Sequence, residues 1–414
     1  MSTETNRPKS VAAPYFAFFL AVAVGLPWAY LFFFGEHPSE PITAVLTGTA
    51  ILGAAFLLSW GVEVAEMDLP TALAVSILAL IAVLPEYAVD ATFAWKAAHD
   101  PVQAGYAVAN MTGGNRLVLG FGWPLLVLIA ALKFKKPGIE LPKSTGSDVA
   151  ILFTASAYAF LMPVRRGSIT LVDTAVLLCF YAIYVVAGAR GEQEEDEHEH
   201  DLVGPAAIIG AWGNVPRRLA VLAIFVFAAG VIFISAEPFA ESLVETGKHF
   251  GIDEFLLVQW LAPLASESPE FVVASILVAR GAMSKGMRTL VSSGVNQWTV
   301  LVGTLPVVMS ISAGTPSALP LDARQSEEVF LTAAMGMFGV AVIADRMLSR
   351  WQAALLAGLF FGQFFVPDTH GRQIFAVAYL LATVAVYIGN ADARTGMLQS
   401  FRVLFAAVRG KPVP

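Results

Sequence analysis

Two glutamates, Glu86 and Glu270, each follow a proline inside a long apolar stretch, in Leu84-Pro85-Glu86-Tyr87-Ala88-Val89-Asp90 and in Ser268-Pro269-Glu270-Phe271-Val272-Val273. Downstream of each lies a glycine-bearing segment ending in asparagine: Gly113-Gly114-Asn115 and Gly294-Val295-Asn296. The Pro-Glu pairs are 184 positions apart and the asparagines 181, so one unit occurs twice with small changes of length. A carboxylate in apolar surroundings is costly, and where one persists it marks an ion or proton pathway. Proline within an apolar helix removes one backbone hydrogen bond and frees a carbonyl of the preceding turn. A carboxylate and free carbonyls at one depth make the oxygen-rich environment that sodium or calcium requires. Because a glutamate in low dielectric can also hold a proton, the same group offers a basis for exchange.

The neighbours widen the candidate set of cation ligands. Ser266 and Glu267 precede the second pair, and Glu267, three residues from Glu270, shares its helical face. Asp90 lies one turn beyond Glu86, and Gln297 follows Asn296. Asp90 and Glu267 do not repeat, so for them a buried, paired acid is the equal alternative to a ligand. For Asn115 and Asn296 the alternative is an interhelical hydrogen bond, with the adjacent glycines admitting a close helix. Arg116 is costly within a span unless paired, and by motif its nearest partners are Glu86 and Asp90. There it would hold a carboxylate ionised or occupy charge that a metal would otherwise supply.

These residues must be positioned by membrane helices. The chain has 414 residues, 57% hydrophobic and 14% charged, with mean hydropathy +0.69, far more apolar than a soluble domain. Runs and breakers predict twelve spans: 14–34, 42–60, 70–96, 103–132, 147–163, 168–189, 217–236, 253–280, 286–314, 326–345, 350–366 and 372–389. With the N-terminus in the cytoplasm, eighteen of the 25 Lys and Arg residues fall on the cytoplasmic side and six opposite, with Arg116 inside a span. That bias predicts a multi-pass protein of the cell (inner) membrane with both termini cytoplasmic.

Five spans precede the acidic tract that begins at Arg190 and five comparable ones follow it, so the second unit crosses the membrane inverted relative to the first. The expected fold is all-α and polytopic, with two inverted five-helix repeats and flanking helices. The expected segments are 1–41, an N-terminal tail and extra helix; 42–189, the first repeat; 190–216, an acidic cytoplasmic linker; 217–366, the second repeat; and 367–414, an extra helix and basic tail. The tract itself reads as a solvated linker, with a weak divalent-cation or pH sensor at His198 and His200 as the alternative. The lone Cys179 has no intrachain partner and reads as a buried small hydrophobe. No basic, aromatic-interleaved surface suggests nucleic acid, and no nucleophile or metal-cluster spacing suggests an enzyme. The expected partners are inorganic cations and the lipid bilayer, with no resident cofactor.

At these residues the chain resembles the cation/calcium exchanger superfamily, which contains sodium/calcium and proton/calcium exchangers. The resemblance implies two inverted five-helix halves whose second and third helices carry the repeat, with Glu86 and Glu270 on the two cation-binding glutamates. It also implies a matching hydroxyl at Ser266 and the family asparagines at Asn115 and Asn296, while Gln297 is similar to a glutamine of proton/calcium exchangers under a one-residue shift. The chain departs from the family pattern at Ala82 and Val83, where hydroxyls would precede the first Pro-Glu, and at Glu267, where another hydroxyl would stand. Gly114 and Val295 replace the serines of the Gly-Ser-Asn segment, and Val118 and Thr299 stand four positions later. The implied function is secondary cation antiport by alternating access, calcium for sodium or protons; monovalent sodium/proton exchange and a non-transporting cation sensor or scaffold are the alternatives.

Overall fold

The computed structural model describes residues 12–35, 38–68, 81, 83–165, 167–190, 202, 204–366 and 368–411. Helices dominate. In chain order they are α1 (Ala12–Ala23), α2 (Leu26–Phe34), α3 (Glu40–Ala65), α4 (Leu84–Ala97), α5 (Pro101–Leu117), α6 (Trp123–Phe134), α7 (Gly146–Ala159), α8 (Leu161–Arg165) and α9 (Leu171–Arg190). There follow α10 (Pro205–Gly210), α11 (Asn214–Phe250), α12 (Glu254–Arg280), α13 (Met283–Asn296), α14 (Val302–Ala313), α15 (Ala323–Ile343), α16 (Arg350–Gly362), α17 (Thr369–Gly389) and α18 (Ala391–Val408). Ten stretches among the described residues are long and apolar enough to cross a membrane. Large apolar side chains face outward from them, as with Phe233 at 85% exposed, which is the surface lipid covers.

Two expected spans are not among these ten. The stretch 350–366 forms only the 13-residue α16 and a short 3₁₀ turn, Gln363–Phe365. The expected span 70–96 is described only at residue 81 and from Val83 onward, and the tract with His198 and His200 lies outside the described residues. Cys179 is exposed on the outer face of α9 rather than buried in protein; lipid supplies the apolar surroundings there. The expected basic tail is the helix α18, packed against α7 and α9.

One order of elements occurs twice. A proline-bearing helix (α4, α12) leads to a helix with the asparagine near its end (α5, α13), then a five-residue π-helical turn, Val118–Gly122 or Gln297–Leu301, and a further helix (α6, α14). Short strands follow at matching positions: β1 (Gly138–Glu140), β2 (Ser168–Ile169), β3 (Leu319–Pro320) and β4 (Met347–Ser349). β1 pairs antiparallel with β4, and β2 with β3. Each ribbon joins one occurrence to the other, and the two ribbons lie at opposite ends of α7.

The ends of these helices are fixed by local chemistry. The Asp100 carboxylate caps α5 at the Val102 amide, with Pro101 beside it in the first turn. Capping boxes start α15 (Asp322 with Gln325) and α16 (Ser349 with Gln352). α11 and α12 stop at Gly251 and Gly281, whose φ angles of +66° and +102° a side chain would strain. Apolar burial divides in two: a large cluster holds α4 to α9 and α12 to α18, and a smaller one holds α1, α3, α10 and part of α11.

Candidate functional site

The two Pro-Glu pairs sit in unlike backbone. α4 begins after Val83, so Pro85 and Glu86 occupy its first turn and Glu86 sits at a helix N-terminus, where the helix dipole favours negative charge. Pro269 lies inside the unbroken α12, as does Pro263 two turns earlier, and each withdraws a donor from the carbonyl four residues before it. α5 crosses α12 so closely that a Cβ on Gly113 would lie 1.8 Å from the Gln259 carbonyl oxygen. That approach brings the first Gly-Gly-Asn segment against the helix that carries Glu270.

Glu86, Glu267 and Glu270 come together. Glu86 lies beside Glu267, Gln297 and Glu270. Gln297, the first residue of the second π turn, donates from Nε2 to Glu267 Oε1 at 2.7 Å. Gly114 makes the floor: a Cβ there would stand 2.9 Å from Glu86 Oε1 and 3.6 Å from Gln297 Nε2. Ser293 lies beside Glu270, although its hydroxyl completes no hydrogen bond. Among the described residues no ion pair involves any of the three glutamates.

What distinguishes this cluster is oxygen without donors. Both carboxylate oxygens of Glu86, Oε2 of Glu267, Oε2 of Glu270, Oε1 of Gln297 and Oγ of Ser293 are buried without a hydrogen-bond partner. Buried polar atoms in native proteins are nearly always satisfied, because each bare one costs about 1–3 kcal/mol. A concentration of bare oxygens with net negative charge is satisfied by cations or protons. Among the described residues no three His, Cys, Asp or Glu side chains are arranged to hold an ion by themselves, so amide, hydroxyl and carbonyl oxygens have to complete any cation shell.

The remaining expected ligands are less directly placed. Asn296 directly precedes the second π turn and Asn115 lies three residues before the first; such turns are a helix distortion common at functional sites. Asn115 donates to the Met111 carbonyl at 2.9 Å, and the Oδ1 atoms of both asparagines are buried and unpartnered. Ser266 is buried but spends its hydroxyl hydrogen on the Ala262 and Pro263 carbonyls of its own helix. Asp90, fully buried one turn beyond Glu86, accepts from Asn110 Nδ2 at 2.9 Å.

Arg116 does not face Glu86 or Asp90. Its Nη2 pairs with Glu328 Oε2 at 2.5 Å, its Nη1 donates to Gln363 Oε1 at 3.0 Å, and its guanidinium lies over the Trp260 ring. The sequence motif pointed to the carboxylates nearest along the chain, whereas the helix turns this side chain away from Gly114 toward α15 and α16. Glu328 and Ser293 were missed in the sequence. The signal for them was periodic: Glu328 stands 180 positions after Asp148, and Ser293 stands 181 after Thr112, a hydroxyl matching a hydroxyl.

A family model described as sodium/calcium exchanger protein matches residues 40–188 and 220–366. The chain is similar to the H+/Ca2+ exchanger CAX, known from a crystal structure: 41% identity over 97% of this chain and 100% of that one, with a TM-score of 0.91. It shares its fold with native YfkE, at 15% identity over 88% of this chain and 99% of that one, TM-score 0.58. The same holds for the sodium-calcium exchanger NCX_Mj, at 13% identity over 86% of this chain and 99% of that one, TM-score 0.51. No curated protein matches the chain.

Proposed function

The chain belongs to the sodium/calcium exchanger family, and from that premise we propose that it is a secondary antiporter exchanging calcium for protons at the Glu86, Glu267 and Glu270 cluster. One observation carries the reading: the buried Glu86 and Glu267 and the partly buried Glu270 lie together, each with a bare buried oxygen and, among the described residues, no basic partner. Three negative charges held together in low dielectric repel strongly. Two protons or one calcium ion remove the same charge from the cluster, so either occupant relieves the repulsion and both together are redundant. Mutual exclusion at one site is the condition for antiport. Protons are preferred to sodium as the driving ion because Glu267 adds a third titratable group, and because the 41% identical CAX is an H+/Ca2+ exchanger.

The monovalent alternative drew its support from an arginine inside the site and from the hydroxyls missing at Ala82, Val83, Gly114 and Val295. With Arg116 engaged by Glu328, the cluster keeps its full negative charge, which favours a divalent ion. In the orientation proposed here, with both termini and the Lys- and Arg-rich loops in the cytoplasm, the two occurrences of the repeated unit run in opposite senses across the cell membrane and meet at the cluster. Alternating access then exposes one site to each side in turn.

The deciding experiment is calcium uptake into proteoliposomes under an imposed proton gradient and, separately, a sodium gradient. Uptake driven by protons and abolished by Glu270→Gln or Glu86→Gln is the expected result. Wild-type flux in both variants would remove the cluster from the mechanism, and uptake driven only by sodium would replace the counter-ion.

A further inference from the structure

Resting on the antiporter reading, we infer that Gln259, Glu328 and Arg116 form a latch that holds the outer half of α12 over the site and so controls access from the non-cytoplasmic face. Gln259, Pro263 and Glu267 occupy successive turns of α12. Pro263 removes a helical hydrogen bond between Gln259 and the carboxylate, which makes that point a place to bend. Outside the bend, Gln259 Nε2 donates to Glu328 Oε2 at 3.1 Å and to Thr112 Oγ1 at 3.4 Å. Glu328 is fixed in turn by Arg116, the residue next to Asn115, and Arg116 is fixed by Gln363, which donates to the Tyr379 hydroxyl at 2.9 Å. The network therefore ties α12 to α5 and α15, one residue from a site asparagine.

The surroundings suit a gate rather than a static brace. A cavity of about 140 Å³ opens at this network, lined by Arg116, Gln259, Trp260, Glu328, Gln363 and Arg372. The cavity lies toward the end of the molecule at which α12 and α15 begin. Dense apolar packing would have resisted movement there, whereas a polar pair beside a cavity can separate and be rehydrated.

The opposite end carries a counterpart. Asp148, 180 positions before Glu328, lies in the first turn of α7 as Glu328 lies near the start of α15. Tyr184 of α9 donates to Asp148 Oδ1 at 3.0 Å and lies 2.7 Å from Ser292 Oγ on α13, one turn before Asn296. Each buried acid is thus bound to the asparagine-bearing helix of the other occurrence, one directly and one through a tyrosine. One latch lies toward each membrane face.

The test reads affinity from both faces. Calcium exchange is measured against a proton gradient in right-side-out and inside-out vesicles, for wild type, Gln259→Leu, Glu328→Gln and Tyr184→Phe. Breaking the outer latch raises the outward-open population, so Gln259→Leu and Glu328→Gln lower the apparent KM for calcium at the outer face and raise it at the cytoplasmic face. Each shift is about fivefold, the lower range for coupling between two states. Tyr184→Phe produces the opposite pair of shifts. Equal shifts at both faces, or unchanged KM in variants of a wild type that exchanges, would overturn the latch. A wild type without calcium exchange would instead overturn the antiporter reading. If Glu328→Gln does not insert, Gln259→Leu and Tyr184→Phe, which change neutral groups only, carry the comparison alone.

Discussion

At the scale of single residues, the candidate site gathers where side chains lack what a stable core would give them. Glu86, Glu267 and Glu270 carry bare oxygens, and Gly114 leaves just enough room for the Glu86 carboxyl. Gly114→Ala would place a methyl group 2.9 Å from Glu86 Oε1 and push that carboxyl away from Gln297. The expected outcome is normal insertion with calcium affinity reduced by about tenfold, or about 1.4 kcal/mol, read from concentration-dependent uptake. Gly113→Ala meets the backbone of α12 instead; it should lower yield and thermal stability before any kinetic effect can be measured. Arg116→Ala leaves Glu328 buried without its guanidinium, a loss of about 3–5 kcal/mol. It should destabilise the protein in detergent without altering the order of preference among cations. A changed preference would return Arg116 to the site.

At the scale of elements, the site is set by how helices begin, bend and cross. Glu86 stands at a helix start and Glu270 within a continuous proline-bearing helix, so duplicated residues have acquired unlike backbone settings. Away from the site, the end of α3 is clamped to the start of α11. Asp68 accepts from Arg217 at 2.8 and 2.9 Å and from Arg218 at 2.9 and 3.0 Å. The hydrogen bonds from Arg217 above all, joined by those from Arg218, hold the Asp68 carboxyl down to about 2 from its ordinary 3.8, against an opposing effect of burial that ranks second to Arg217. For a depressed carboxylate, the stabilisation is fully present above the ordinary value and lost as pH falls through the folded one. The stability gap between wild type and Asp68→Asn should therefore be constant from pH 8 to 5 and shrink below about pH 4. Thermal unfolding at a series of pH values measures it; a gap that narrows already near pH 6 would place the titrating group elsewhere.

At the scale of the whole molecule, the large apolar cluster is closed at one end by α18. That helix buries Met397, Val403, Leu404 and Ala407, and Gly396 lets it meet the backbone at Ala344, where a Cβ would fall 2.0 Å from the carbonyl oxygen. Each large apolar side chain returned to solvent costs about 1.5–3 kcal/mol. Removing residues 391–411 should lower the melting temperature markedly yet leave any remaining flux coupled to the same ions. A truncated chain as stable as the full one would show that α18 only rests on the bundle.

The sequence by itself determined the membrane class, the repeated chemistry and the family. Those follow from composition, run length and the spacing of Pro-Glu and Gly-x-Asn, all of which are read along the chain. It also named Glu86, Glu267, Glu270 and Gln297, since charged or amide groups in apolar runs are conspicuous. Only the tertiary structure decided which of these groups meet. Glu267 moved from an equal alternative to the centre of the cluster because α4 and the π turn approach α12 at its level. Arg116 moved from the site to Glu328, 212 positions away, and Cys179 from the interior to the outer face of α9. Pairing across such separations depends on which helices cross and how each is rotated, and one residue of rotation turns a side chain by about 100°. Apolar periodicity along these helices is too weak to fix that rotation, because lipid accepts on the outside much of what a core accepts within.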